Sequence, residues 1–393
     1  MEYRRFSEFI EKVQYGFTAD ETSSIEGDAK YLRITDIVPY FVDKERVPFC
    51  TIPEKKKANY LVRENDLLIA RTGATTGYNL IVPKDFSNYI FASYLVRYYY
   101  KQSELYPQYL KHVLKSKQYY GFVNNYIGGS AQPGMNPKAF GRFEVPFVNY
   151  DKQKRIAFIL SSYDNLIEIN NKRIKVLEQM AENLYKEWFV RFRFPEYEKA
   201  EFENGIPRGW IIGEEANMKR PKQWRYGEFS EIGLFKRGKN ITAAEMVEGE
   251  IPVISAGINP SGYHNESNVS GKSLTISSSG ANAGYLKYNL SDIWAADCSY
   301  YNDSKNIWFA YCSLKFLQPV ISNLQCGAAQ PHVYPKHINR LSMIIPDKDT
   351  IEKFCKTVNP FFEEIDKLLK CNEKLINQRD LLLPRLMSGK LEV

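Results

Sequence analysis

Histidine and cysteine build most metal and nucleophilic centres, and this chain has few of either: four His and six Cys among 393 residues. The cysteines are Cys50, Cys298, Cys312, Cys326, Cys355 and Cys371, and no two form a C-x-x-C pair. That scatter argues against a zinc site or a disulfide frame and for free buried thiols in a reducing compartment. His332 and His337 stand beside a Pro-containing turn with no cluster of Cys or carboxylates near them. They are read as turn histidines, and neither a metal nor a cofactor is expected. No apolar run approaches the length needed to cross a bilayer, and the stretch from Met1 to Val13 carries charges throughout. The expectation is a cytoplasmic protein without membrane contact.

Catalytic signatures are missing as well. Gly271-Lys272-Ser273 resembles the end of a phosphate-binding loop, but Glu266 stands where that pattern requires Gly. Asn359-Pro360-Phe361-Phe362 lacks the second Pro of the base-holding motif of amino-methyltransferases, and no Gly-rich cofactor loop precedes it. Pro346-Asp347 is followed by no acidic-x-Lys, and no Gly-x-Ser-x-Gly elbow occurs. The balance favours a non-catalytic binding protein.

What the chain does have is tyrosine and internal repetition. Aromatic residues make up 14%, with 28 Tyr, and the net charge is a mild +7. Tyr suits surfaces that both stack and hydrogen-bond, and the basic surplus permits nucleic-acid binding without requiring it. Ser130-Ala131-Gln132-Pro133 returns as Ala328-Ala329-Gln330-Pro331, followed in both copies by Pro, Lys and Arg in one register. Arg71-Thr72-Gly73-Ala74-Thr75-Thr76-Gly77-Tyr78 returns as Ser278-Ser279-Gly280-Ala281-Asn282-Ala283-Gly284-Tyr285. A repeat of roughly 200 residues is too long for a solenoid and fits a duplicated domain. Strands are expected at Tyr31–Ile37, Asp66–Ala70, Ile90–Tyr100, Ile251–Ser255 and Leu274–Ser278, and a helix from Pro107 to Phe122.

Each copy ends in a heptad stripe. The first runs Ile156, Leu160, Tyr163, Ile167, Asn170, Ile174, Leu177, Ala181, Leu184, Trp188, with Pro195 beyond it. Such a helix would span about 55 Å at 1.5 Å per residue. The second runs Val358, Phe362, Ile365, Leu369, Asn372, Ile376, Arg379, Leu383, Leu386, and Pro360 is expected to start that helix afresh. Asn170 and Asn372 are either register-fixing seam residues or residues at the edge of the stripe. The fold class expected is therefore α+β. Two similar mixed modules would be joined by two long helices packed as an antiparallel coiled coil, with a pseudo-twofold relation. The boundaries expected are 1–150 for the first module, 151–200 for the central helical region, 201–349 for the second module and 350–393 for the C-terminal helical region.

The candidate DNA contacts lie in the repeated turns and in basic runs. Arg71, Thr72, Gly73 and Thr75 offer a cation, hydroxyls and backbone N–H groups, and Ser278, Ser279 and Asn282 are their counterparts. Gln132 and Gln330 have the donor–acceptor amide that pairs with an adenine edge, or serve to hold their own turns. Lys236, Arg237 and Lys239 close a basic run that starts at Lys219 and includes Trp224 and Tyr226; Lys55, Lys56 and Lys57 form another. Phosphate contact or a solvated basic face are the two readings of such runs. Three classes stay open from the residues alone: a recognition subunit, a solo methyltransferase or nuclease, and a coiled-coil scaffold.

The helix endings carry a family resemblance. Leu177-Glu178-Gln179-Met180-Ala181-Glu182-Asn183-Leu184-Tyr185-Lys186-Glu187-Trp188-Phe189-Val190 resembles the close of the central helical region of type I restriction–modification specificity subunits. Gln378-Arg379-Asp380-Leu381-Leu382-Leu383-Pro384-Arg385-Leu386-Met387-Ser388-Gly389-Lys390 resembles their C-terminal signature, and Leu67-Leu68-Ile69-Ala70-Arg71-Thr72-Gly73 resembles their recognition-domain loop. The resemblance covers essentially the whole chain. It implies a non-catalytic subunit whose two domains each read one half of a split double-stranded DNA site. Its coiled coil would set the spacer and dock two methyltransferase subunits, and motor-nuclease subunits would join the full complex. The stretch from Ile211 to Arg225 departs from the family pattern and leaves the start of the second domain open.

Overall fold

The computed structural model describes residues 2–392 apart from 21, 24, 38–41, 128–133, 196–200, 204–205, 208–209, 213–218, 325–331 and 389. Contacts divide the chain into two units, Met1–Ile169 with Cys371–Val393, and Asn170–Lys370.

In the first unit the run Leu67-Leu68-Ile69-Ala70 has no polar member, as a strand covered on both faces should. It lies inside a four-stranded antiparallel sheet ordered Ile10–Tyr15, Leu95–Tyr100, Leu67–Ala70, Asn79–Ile81. Alternate side chains enter two different cores. Leu67 and Ile69 join Phe6, Val96 and Tyr98, whereas Leu68 and Ala70 join Leu32, Val82 and Phe91. A second sheet follows the order Thr22–Ser23, Phe49–Cys50, Ala29–Leu32, Tyr89–Phe91, its last pair parallel.

The strand expected over Ile90–Tyr100 is in fact two. The Leu95 N–H bonds to the Ala92 carbonyl at 2.8 Å, and this turn carries the chain from one sheet to the other. The strand expected at Tyr31–Ile37 is Ala29–Leu32, and the helix expected from Pro107 is a pair, Pro107–Val113 and Lys117–Ile127.

The second unit repeats this plan. Its four-stranded sheet is ordered Lys236–Arg237, Cys298–Tyr301, Ser273–Ser277, Leu286–Asn289. Registers match across the repeat: Ala70 pairs with Leu95 as Ser277 pairs with Cys298, and Tyr15 pairs with Val96 as Arg237 pairs with Ser299. The parallel pair recurs between Ile251–Ile254 and Trp294–Ala295. Phe6-Ser7-Glu8 and Phe229-Ser230-Glu231 form equivalent one-turn helices. In each, the Glu carboxylate accepts a backbone N–H, from Arg5 at 3.0 Å and from Glu228 at 3.1 Å. This shared turn aligns Phe229 with Phe6.

The first long helix runs Tyr150–Tyr185, continues as one wider π-type turn to Val190, and stops where Phe192 takes a φ of 57°. The chain thus turns out of the helix three residues before Pro195. Ile156 and Leu160 share a core with Leu383, Leu386 and Met387 in the first unit. In the second unit Ala181, Tyr185 and Trp188 share one with Phe354, Val358, Phe362 and Ile365. The helices run antiparallel there. Arg173 donates to Glu364 at 2.8 Å, whereas Tyr185, further along, lies 6.1 Å from Phe354, further back.

The C-terminal helix is continuous over Lys348–Met387, so Pro360 does not start it. A proline inside a helix costs about 3 kcal/mol. Val358 and Phe362, buried on either side of it, contribute about 1.5–3 kcal/mol each. Pro360 itself is exposed, so its ring faces solvent. The buried stripe also uses Leu368, not Leu369, which is 38% exposed. Asn170 and Asn372 are both buried, at 8% and 7% exposure, which removes the edge-of-stripe reading. Cys50, Cys298, Cys312 and Cys355 are buried thiols, and Cys371 is exposed.

Candidate nucleic-acid interface

The repeated Gly-rich turns share one hydrogen-bond skeleton. In the first unit the Ala70 N–H bonds to the Tyr78 carbonyl at 2.8 Å, the Gly77 N–H to Ala70 at 2.9 Å and the Tyr78 N–H to Thr75 at 2.9 Å. In the second the same bonds join Ser277 to Tyr285 at 3.0 Å, Gly284 to Ser277 at 2.9 Å and Tyr285 to Asn282 at 2.9 Å. Gly77 and Gly284 have φ of 88° and 84°, a left-handed conformation that L side chains rarely adopt. A Cβ on Gly77 would also stand 2.7 Å from Val123 Cγ1.

Each turn is tied to the stretch after its Ala-Gln-Pro segment. The Met135 N–H bonds to the Arg71 carbonyl at 2.8 Å and the Val333 N–H to the Ser278 carbonyl at 3.0 Å, with bridges Thr72–Gly134 and Ser279–His332 beside them. The tie falls at the equivalent place in each unit. Gln132 and Gln330 lie outside the described residues.

The skeleton is shared but the side chains differ. Arg71 is half-buried, and Gly73 holds the turn by accepting from Thr76 Oγ1 at 2.7 Å. Thr75 Oγ1 is buried and has no hydrogen-bond partner among the described residues. Ser278 is wholly buried, and its hydroxyl likewise has no partner among the described residues, so it does not present an edge to a ligand as the sequence suggested. The turn that exposes position 71 encloses the smaller side chain at 278. Ser279 donates to the Asp297 carboxylate, and Asn282 is half-buried.

From Lys222 onwards the basic run does not form one surface. Arg225 lies on a strand paired with Ser342–Ile345 and is tied to Glu231, whereas Lys236 and Arg237 belong to the four-stranded sheet. Trp224 is fully buried against Phe189, Phe192 and Phe194, and its Nε1 donates to Asp347 at 2.8 Å. Trp224, interleaved with cations in the sequence, is therefore a core residue and not part of a basic surface. Arg237 pairs with Asp297. Lys236 and Lys239 are exposed, and the Lys239 ammonium stands 5.9 Å from the Trp294 ring centre. Lys55 and Lys56 are exposed on the helix Glu54–Tyr60, and Lys57 Nζ donates to the Asp28 carbonyl at 2.8 Å.

The Asn359-Pro360-Phe361-Phe362 segment is packing. Phe362 stacks on Trp308 with ring centres 3.6 Å apart, and Asn359 Oδ1 accepts from Trp308 Nε1 at 3.1 Å. No cluster of His, Cys, Asp or Glu suited to a metal occurs among the described residues, and among them no helix is long and apolar enough to cross a membrane.

A duplicated α+β module, carrying hydroxyls, aromatics and cations on an equivalent edge in each copy and followed each time by a heptad helix, defines a bipartite recognition protein. The family model described as the type I restriction modification DNA specificity domain matches twice, over residues 26–179 and 221–378. The chain belongs to that family. The specificity subunit of the type I restriction enzyme MjaIX of Methanocaldococcus jannaschii is 28% identical over 348 residues, covering 83% of this chain and 74% of that one. The HindI specificity subunit of Haemophilus influenzae is 22% identical over 413 residues, covering 85% and 88%. The crystal structure of the type I S subunit from M. genitalium superposes with a TM-score of 0.51 at 17% identity, over 98% of this chain and 95% of that one. The chain is a DNA-recognition subunit of a type I restriction–modification system.

Proposed function

We propose that each unit reads one half of a split duplex sequence through the edge formed by its Gly-rich turn and the neighbouring strand ends. In this reading the long helices set the unread spacer and receive two methyltransferase subunits, which carry the chemistry, with motor-nuclease subunits joining the full complex. The observation that carries the reading is the pairing of a constant backbone skeleton with different side chains, Arg71-Thr72-Gly73 against Ser278-Ser279-Gly280. A reader of two different half-sites needs that combination, because phosphate contacts position the protein while base contacts specify.

Docking on the helices has its own support. Phe158, Leu166 and Ile169 in the first unit, and Val176 and Met180 in the second, are all exposed. Their spacing puts them on one side of a single helix, away from its buried stripe. Isolated exposed apolar residues are ordinary, but five on one helix side suit a partner.

Arg71→Ala is expected to weaken binding to the cognate duplex by about 1–3 kcal/mol and to relax specificity in one half only. Competition binding against cognate and random duplexes measures this; an equal loss on both would make Arg71 a phosphate contact. Lys236→Ala with Lys239→Ala is expected to weaken binding to all duplexes alike. The salt dependence should flatten by about one unit for each phosphate no longer neutralised. An unchanged slope in a salt titration would assign both lysines to a solvated face.

A further inference from the structure

The matched strand registers identify one notch in both units, bounded by three backbone positions. In the first unit they are Tyr15, Arg71 and Tyr94; in the second they are Arg237, Ser278 and Asp297. The Gly16 N–H bonds to the Leu95 carbonyl just as the Gly238 N–H bonds to the Cys298 carbonyl, and the Arg71 N–H bonds to Tyr94 just as the Ser278 N–H bonds to Asp297. Gly16 and Gly238 sit so close to the facing strand that a Cβ would fall 2.1 Å from the Ala92 oxygen and 2.3 Å from the Ala296 oxygen. The strand end before each glycine is thereby held at the same place.

Each notch holds one guanidinium, supplied from a different element. In the first it comes from the turn. Arg71 lies 5.3 Å from the Tyr15 ring centre and 5.8 Å from that of Tyr94, and both rings are about half exposed, at 50% and 54%. Its one hydrogen bond, Nε to the Ser93 carbonyl at 3.4 Å, leaves both terminal nitrogens without a protein partner among the described residues. In the second notch the guanidinium comes from the strand. Arg237 donates through Nη2 to one Asp297 oxygen, and Ser279 donates to the other.

The pairing decides what Arg237 can do. A phosphate contact gains from uncompensated charge and released counterions, and Asp297 cancels that charge. What the carboxylate adds is a fixed orientation of the guanidinium plane, which two-point recognition of a base needs. The guanine edge, with O6 and N7 side by side in the major groove, is the base edge that matches an arginine fork. Lys236 and Lys239 are exposed and form no ion pair among the described residues, so they remain the phosphate candidates on the same edge.

We propose that Arg71 and Arg237 are equivalent base-reading residues, each contacting one guanine in its own half-site, with Tyr15, Tyr94 and Asp297 as positioning residues. This rests on the DNA-reading function proposed above. It moves Arg237 from phosphate contact to base readout and assigns Asp297 to specificity.

The test is selection from a randomised duplex library by the full chain and by four variants, Arg71→Ala, Arg237→Ala, Arg237→Lys and Asp297→Asn. The wild type is expected to enrich a split motif with a guanine in each half. Arg71→Ala and Arg237→Ala should each lower the guanine preference at a single position about 5- to 150-fold, in opposite halves. Arg237→Lys keeps the charge and the fold, so affinity for random duplex should stay within about twofold while the same guanine preference is lost. Asp297→Asn should relax the position that Arg237→Ala relaxes and no other. The proposal is overturned if Arg237→Lys retains full preference, if Arg237→Ala weakens all sequences alike, or if the positions affected are not guanines. A wild type that enriches no sequence would overturn the DNA-reading function itself, which is a separate outcome.

Discussion

Asp164→Asn is expected to lower the stability of the first unit by about 3–5 kcal/mol, the usual cost of removing one partner from a buried ion pair. Arg379 is only 4% exposed, yet it lies in the middle of the C-terminal stripe. Its Nη1 donates to Asp164 at 2.7 Å, and Lys111 approaches the other Asp164 oxygen at 3.3 Å. Burial alone would raise the Asp164 carboxyl, but Lys111, His112, Lys115 and Arg379 outweigh it and hold it below the ordinary carboxylate range. Neutralising Asp164 leaves Arg379 and Lys111 without their shared anion. The readout is the first transition in urea unfolding, because a two-unit chain need not unfold in one step. A loss below about 1 kcal/mol would mean that water screens the cluster. Adding Arg379→Met should recover part of the loss, because an apolar replacement of the whole pair costs less than a broken pair.

The same cluster sets an acid limit. Burial, reinforced by Lys111, Lys115 and Arg379 and opposed by Asp164, pushes the His112 imidazole down to about 3. Between pH 6.5, the ordinary His value, and about 3 the unfolded chain binds a proton there that the folded chain does not. Stability should therefore fall as pH drops through that window. Asp164, depressed in the folded state, adds a further loss below the ordinary carboxylate range. His112→Gln should flatten the upper part of the profile in melting experiments run from pH 7 to pH 4. An unaltered profile would move the acid sensitivity elsewhere.

The second large effect concerns spacing. Matched insertions of one heptad in the stripes around Ile167–Trp188 and Ile365–Leu386 are expected to keep both half-sites and lengthen the unread spacer by about three base pairs. Seven residues add about 10.5 Å at 1.5 Å per residue, and duplex DNA rises about 3.4 Å per base pair. Whole heptads keep the buried face in register, so Arg173 with Glu364 and Tyr185 with Phe354 can re-form. Three base pairs also turn the duplex by roughly 100°, at about 10.5 base pairs per turn, so some affinity should be lost. Methylation mapping of the assembled complex reads the outcome, and unchanged spacing with intact activity would end the ruler reading. An insertion in one helix alone should offset the stripes and destabilise the protein.

The amino-acid sequence by itself determined the duplication and the two amphipathic helices. Both are written in short-range patterns: echoed turns whose Gly residues need a positive φ, and apolar spacings of three and four. It also carried a third echo, Phe6-Ser7-Glu8 with Phe229-Ser230-Glu231, too short to stand out without the shared register. Tertiary packing decided the rest. Pro360 reads as a helix start until the buried Val358 and Phe362 around it are seen to outweigh its local cost. Trp224 reads as a surface aromatic until its rings and Asp347 are found around it. The notch was illegible for a geometric reason. Tyr15, Arg71 and Tyr94 are brought together by strand pairing across long connections, and those connections differ in length in the second unit. No single offset in the sequence therefore aligns Tyr15 with Arg237, Arg71 with Ser278 and Tyr94 with Asp297. Only the hydrogen-bond register, a property of the folded sheet, matches the two notches, one with its guanidinium on the turn and the other with its guanidinium on a strand.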